Sequence, residues 1–305
     1  MSLATYADLQ AAIAAYLARP GDALVSGPAP DFIALAESRI AYGGDLPYPS
    51  RPLRVRAMEA TAMLITGAAQ DGGTSGGSAN AQTVTLAAAP TLGPGLVIGF
   101  TAGLTNTGPC TLNPNGLGDT AVKIGVPKAA LAGGEIVAGA AYTVYYDGAD
   151  FVLVPSGGVP LPAGYLQMRS IFVQGSPVRQ LSPVTPETYG STCLAARAGK
   201  PLSYLMNGDT ICFGPIPDAA YAIEMGYYRK LPALAASGTN WLMANAPNAY
   251  LWAALLEAAI YFGMAEDAQT CFGLYKGAIE GLMNADVADR YSGAVLQMRS
   301  GVAGG

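Results

Sequence analysis

Apolar residues recur at helical spacing near the start of the chain. Leu9, Ile13, Tyr16 and Leu17 share one face, Thr5 stands where an N-cap would, and Asp8 follows three residues later. Pro20-Gly21 ends this helix, and a second is predicted over about residues 31–41, with Phe32, Ile33, Leu35, Ala36 and Ile40 on its apolar side. The period then changes. Residues 53–60 alternate apolar and polar, the pattern of a strand. From 82 to 154 the signals are all β, and the runs 142–146 and 151–154 flank Asp147-Gly148, a strong hairpin signal. Hairpins are predicted again around Gln174-Gly175 and Gly208-Asp209, with a short helix at 186–197 between them and an alternating strand at 222–228 after them. Two helices follow, near 248–263 and 266–284.

Between the helical start and the β run lies GAAQDGGTSGGSAN, residues 67–80, which has no apolar period and reads as a flexible Gly/Ser-rich linker. Together with Pro155-Ser156-Gly157-Gly158-Val159-Pro160 it brackets residues 67–160, close to the ~100 residues of a small β-sandwich. The expected fold is therefore α+β: a helical host domain with β-hairpins, residues 1–66 and 161–305, interrupted by a small sandwich-like all-β domain at 67–160. Such an insertion is tolerated where the two host ends emerge close together at the surface.

Composition narrows the chemistry. The 305 residues contain no histidine, which removes Ser-His-Asp and Cys-His nucleophiles, His-ligated zinc and imidazole acid–base work. Cys110, Cys193, Cys212 and Cys271 are too far apart for a CxxC pair and read as buried, reduced thiols. Lys+Arg number 16 against 21 acids, a net charge of −5, which argues against a sequence-reading nucleic-acid binder. Charged residues make up only 12% of the chain, so much of its surface is expected to be covered by other subunits. The N-terminus lacks a basic segment and is not read as a signal peptide. The apolar run 250–265 is too short for a membrane span and carries Glu257 at its middle.

Glu257 needs a partner in such surroundings, and Arg39, Arg54 and Arg56 are the candidates for a structural ion pair. Gly273, Gly277 and Gly281 recur every four residues on the last helix. Each costs ~1 kcal/mol of helix propensity relative to Ala, so a close approach by another backbone is expected, from the preceding helix or from a neighbouring subunit. Gly72-Gly73-Thr74-Ser75-Gly76-Gly77 lacks the Lys-Ser/Thr of a P-loop, and no metal-ligand spacing or cofactor motif is visible.

Phe213-Gly214-Pro215-Ile216-Pro217-Asp218, the run from Tyr221-Ala222-Ile223-Glu224-Met225-Gly226 to Leu231-Pro232-Ala233-Leu234, Thr239-Asn240-Trp241-Leu242 and Arg290-Tyr291-Ser292-Gly293 resemble the head-to-tail adaptor proteins of tailed bacteriophages. Pro30-Asp31-Phe32-Ile33 and Arg56-Ala57-Met58-Glu59-Ala60 are similar too. The chain departs from that pattern at 67–160, where Thr105-Asn106-Thr107-Gly108 and Tyr145-Tyr146-Asp147-Gly148 look like a β module of phage tail fibres. The resemblance implies a non-enzymatic virion protein without cofactors, assembled in the host cytoplasm. It implies a homo-oligomeric ring in the neck, typically a dodecamer, that joins the portal protein to a tail or nozzle protein around a DNA channel. A weakly acidic channel would not trap the passing polyanion. The resemblance also implies that the extended end, residues 291–305 with Tyr291, Leu296, Met298 and Arg299, docks on the portal. An alternative is a tail-fibre-anchoring or receptor-binding protein in which the β module is the working part. A cell-wall hydrolase would need a carboxylate pair in a cleft, which the sequence does not supply.

Overall fold

The computed structural model describes residues 3–17, 28–88, 90–155, 158–194 and 196–290. The chain divides into two compact units, Met1–Glu59 with Arg229–Gly305, and Ala60–Tyr228.

The first unit is helical. Helix α1 (Tyr6–Tyr16) opens with a reciprocal cap: the Asp8 N–H donates to Thr5 Oγ1 at 3.2 Å, and the Thr5 N–H donates to Asp8 Oδ2 at 3.0 Å. Helix α2 spans Ala29–Tyr42, and two short helices, α3 (Leu234–Ser237) and α4 (Trp241–Asn245), lead into α5 (Pro247–Tyr261) and α6 (Ala265–Arg290). α5 is the hub, packed by α1, α2 and α6, and Ala249, Tyr250, Ala253, Ala254, Leu255, Leu256, Ala258 and Ala259 are buried along it. Its many alanines let neighbouring helices come close, while Leu9, Ile13, Phe32 and Ile33 fill the gaps between them. Each fully buried Leu or Ile adds about 1.5–3 kcal/mol. The strand predicted at 53–60 is instead an extended approach and a 3₁₀ turn (Arg56–Met58), because Leu53 donates its N–H to Ile40 O and the turn docks on α6.

The second unit is built of strands. In chain order they are β1 (Glu59–Ile65), β2 (Ala69–Thr74), β3 (Gly76–Ser78), β4 (Ala81–Val84), β5 (Val97–Thr101) and β6 (Cys110–Pro114). Then come β7 (Thr120–Ile124), β8 (Ala129–Ala130), β9 (Ala141–Tyr146), β10 (Phe151–Val154), β11 (Gly158–Pro160) and β12 (Tyr165–Val173). The set closes with β13 (Arg179–Gln180), β14 (Ser182–Pro183), β15 (Ser203–Asn207), β16 (Thr210–Gly214) and β17 (Ala222–Arg229). Nine strands form one sheet, ordered β2-β5-β9-β10-β7-β6-β4-β3 with β8 beside β7. Two four-stranded sheets, β1-β17-β12-β13 and β11-β16-β15-β14, complete the unit. Asp147-Gly148 turns β9 into β10 with Phe151 opposite Tyr146.

The large sheet curls until its two ends meet. A Cβ on Gly72 of β2 would lie 3.1 Å from Val84 Cβ of β4 and 3.3 Å from Ile98 Cγ2 of β5, so β2 and β4 nearly close a barrel. Ile98, Phe100, Leu112, Val122, Val144 and Phe151 point into it.

The expected fold class, a helical domain carrying a small sandwich, is thereby corrected. In the described chain strands are as extensive as helices, and the 67–160 region is a barrel-like sheet that shares its core with the strands that follow. The reason is two-sided burial. While Ile98 and Val144 fill the barrel, Val97, Tyr145, Val152 and Val154 point outward into a second core with Leu64, Ile171, Phe213, Ile223 and Met225. The residues read as a flexible linker are also structured: β2 adds in parallel to β5, and β3 pairs with β4. The short helix predicted at 186–197 is one α turn (Pro186–Thr188) running into a π-helical turn, Tyr189–Cys193.

Candidate interaction surfaces

Arg39 of α2 is the arginine that meets Glu257. Its Nε donates to Glu257 Oε1 at 2.5 Å, its Nη1 donates to Tyr48 O at 3.0 Å, and both charged side chains are 13% exposed. One guanidinium thus ties α2 to α5 and to the loop after α2. Gly44 lies against it, where a Cβ would crowd the guanidinium and lie 3.0 Å from Tyr48 O. Arg54 is engaged elsewhere, its Nη1 donating to Ala41 O at 2.9 Å and to Leu53 O at 2.7 Å. Arg56 also turns away from Glu257, toward Asp286 and Asp289 on α6. Beside the Arg39–Glu257 pair, burial pushes the Tyr275 phenol up to about 12. Neither the Tyr275 nor the Ser50 hydroxyl reaches a hydrogen-bond partner among the described residues.

The end of α6 carries a second ionic joint that sequence reasoning missed. Asp286 accepts from the Arg56 N–H at 2.9 Å and from Arg290 Nε at 2.7 Å, and Arg290 also pairs with Glu59. Burial works against the Asp286 charge, yet the Arg56 N–H and the Arg290 guanidinium outweigh it and hold the carboxyl below its usual range. Arg290 and Glu59 lie 231 residues apart, so no local pattern could have revealed the joint. It fixes the last described turn, from which residues 291–305 continue. The docking residues expected there, Tyr291, Leu296, Met298 and Arg299, lie outside the described residues.

Of the two partners expected for Gly273, Gly277 and Gly281, the preceding helix does not meet them. α6 packs on α5 through Ala268, Cys271, Tyr275 and Ile279, and the glycines lie on the opposite side. All three are exposed, and a Cβ added at any of them meets nothing within 4 Å. Leu274, Ala285 and Ala288 continue this exposed strip by the 100° step of a helix, and the strip bears no charge.

The thiols are set for packing. All four cysteines are free and buried, and burial raises Cys110, Cys212 and Cys271 above the ordinary thiol range. Among the described residues no cluster of His, Cys, Asp or Glu could hold a metal ion, and no helix is long and apolar enough to cross a membrane.

Ion-paired joints that fix helices, quiet thiols and an uncharged open helix face are the equipment of a structural protein that works by contact. The chain belongs to the SU10 adaptor protein family, whose model matches residues 130–299, or 170 of the 305 residues. It is accordingly a phage adaptor-type structural protein, associated with the virion. The match runs from β8 through the later sheets to the end of α6 and beyond. No curated protein matches the chain.

Proposed function

We propose that this adaptor assembles as a homo-oligomeric ring, of twelve copies on the family pattern, that joins the portal to the tail or nozzle protein and leaves a central passage for DNA. It has no turnover of its own and needs no cofactor. The observation that carries this reading is membership of the adaptor family over residues 130–299. The uncharged strip on α6 supports a ring contact. Gly273, Gly277 and Gly281 together sacrifice about 3 kcal/mol of helix propensity relative to alanine without any packing return among the described residues. A neighbouring subunit's backbone approaching that strip would supply the return. Residues 291–305, leaving from the Asp286–Arg290 joint, are the segment proposed to dock on the portal, with Tyr291, Leu296, Met298 and Arg299 as contacts.

Native mass spectrometry of the full chain, alone and with its portal, tests the proposal. Rings or portal-bound rings are expected, and a monomer indifferent to the portal would refute it. A triple variant, Gly273→Leu, Gly277→Leu and Gly281→Leu, tests the contact face separately. Leucine favours the helix and finds open space in the monomer, so the variant should melt no lower than the parent yet fail to form rings. Rings that form unchanged would remove α6 from the interface. Simple removal of 67–160 is a poor test, because it would strip Val97, Tyr145, Val152 and Val154 from the core they share with Leu64, Ile171 and Phe213.

A further inference from the structure

Along β5 the residues pointing out of the barrel are Val97, Gly99 and Thr101. Val97 is buried in the shared core, but Gly99 and Thr101 run beyond it onto an open part of the sheet. There a groove of about 570 Å³ lies across β2, β5 and β9, within the ~300–1,000 Å³ range of small-molecule sites. The register sets Asp71 and Thr143 on either side of Gly99, and Thr74 and Ala141 on either side of Thr101. Gly99 is thus the floor, and its neighbours are the walls. A glycine inside a strand weakens it and commonly marks close approach by a ligand or another backbone. Among the described residues nothing requires one here. Gly99 has no positive φ, and a Cβ added to it meets nothing within 4 Å.

The lining chooses the ligand. No cationic side chain lines the groove and Asp71 supplies a carboxylate, so an anion is disfavoured. The outward hydroxyls of Thr74, Thr101 and Thr143 make no hydrogen bond within the described residues, and an apolar occupant would leave them dehydrated and unpaired. Asp71 Oδ1 accepts from the Gly73 N–H at 2.9 Å, which orients the carboxylate and leaves further acceptor capacity on it. Several hydroxyls that donate or accept and one acceptor-only carboxylate match a neutral polyhydroxylated ligand. We propose that this groove binds a neutral saccharide, with Asp71 accepting from sugar hydroxyls over the open floor at Gly99. Its lining residues are other than those assigned above to ring assembly and portal docking.

Saturation-transfer NMR on the full chain tests this with maltohexaose, chitohexaose, mannotriose and a β-1,4-galactotetraose. At least one should receive saturation. Gly99→Val and Asp71→Asn should each weaken that binding tenfold or more, and Thr143→Ala about fivefold. Because valine favours strands and meets no neighbour here, Gly99→Val should melt no lower than the parent and should keep its portal binding. Absence of transfer to all four sugars would overturn the proposal, as would transfer unchanged by Gly99→Val. So would self-association abolished by Gly99→Val without any sugar binding, which would make a second copy the occupant. Should Gly99→Val fail to fold, Asp71→Asn and Thr143→Ala decide the matter by the same criterion.

Discussion

Replacing Arg39 with alanine should destabilise the helical unit by about 3–4 kcal/mol. The substitution removes a charge-assisted bond to Glu257 at 2.5 Å and a bond to Tyr48 O at 3.0 Å. It also leaves a carboxylate only 13% exposed without its partner. Breaking one side of a buried pair costs ~3–5 kcal/mol, and the residual exposure places this case at the lower end. At roughly 3 °C per kcal/mol for a unit of this size, the helical melting transition should fall by about 10 °C. The assay is circular dichroism at 222 nm on four proteins: the parent, Arg39→Ala, Glu257→Gln and the double variant Arg39→Met/Glu257→Leu. The double variant replaces both charges with apolar groups, so it should recover most of the loss, because the orphaned charge rather than the missing attraction dominates the penalty. If Arg39→Ala costs under 1 kcal/mol, or the double variant is as unstable as the single one, the pair is not the joint described.

Three further expectations follow from the same coordinates. Tyr275→Phe should stay within about 1 kcal/mol of the parent, since the buried hydroxyl has no partner to lose among the described residues; a larger loss in a denaturant melt would mean that it does hold a bond. Glu135 accepts from the Ala132 and Gly133 N–H groups, which lower its carboxyl from 4.5 to about 2. The folded value lies below the unfolded one, so its contribution is complete above about pH 4.5 and disappears as pH falls toward 2. The melting difference between the parent and Glu135→Gln should therefore shrink across that window, and a constant difference would refute the assignment. Asp286→Ala should cost about 2 kcal/mol and speed trypsin cleavage after Arg290, because it frees the Arg56 N–H and one side of the Arg290 guanidinium.

Local chemistry was legible in the sequence where it is enforced locally. Thr5 and Asp8 cap α1 through bonds three residues apart, and Asp147-Gly148 turns a hairpin whose strands show their own alternation. What escaped depends on distant partners. β2 contains Asp71-Gly72-Gly73, and its composition is that of a linker; it is a strand because β5 offers a parallel edge, with Gly72 packed closely against Val84. The sandwich expectation failed for a related reason. Residues such as Val97 and Tyr145 read as one apolar face of a small module, whereas the structure buries both faces, one in the barrel and one in a core shared with Phe213 and Met225. Of the three arginines proposed for Glu257, spacing could not choose. The choice follows from α2 lying against α5, and Arg54 and Arg56 find nearer acceptors.

Glycine carries three different meanings in this chain, and a missing Cβ distinguishes them where composition cannot. At Gly72 the added atom would crowd Val84, where β2 and β4 close the barrel; at Gly44 it would crowd the Arg39 guanidinium of the ionic joint. At Gly99 and at Gly273, Gly277 and Gly281 it would strike nothing, so no contact among the described residues explains the loss of propensity in a strand and a helix. Such positions are where the chain leaves room for something outside itself. The sparse charges point the same way. Arg39, Arg56, Lys128 and Arg290 are all engaged by carboxylates of their own chain, and the exposed strip on α6 is left without charge. A surface that uses its ions to hold its own elements, and leaves its small residues facing outward, can bring another backbone close without having to desolvate a charge. This is the physical basis for reading this family member as a component completed by its neighbours.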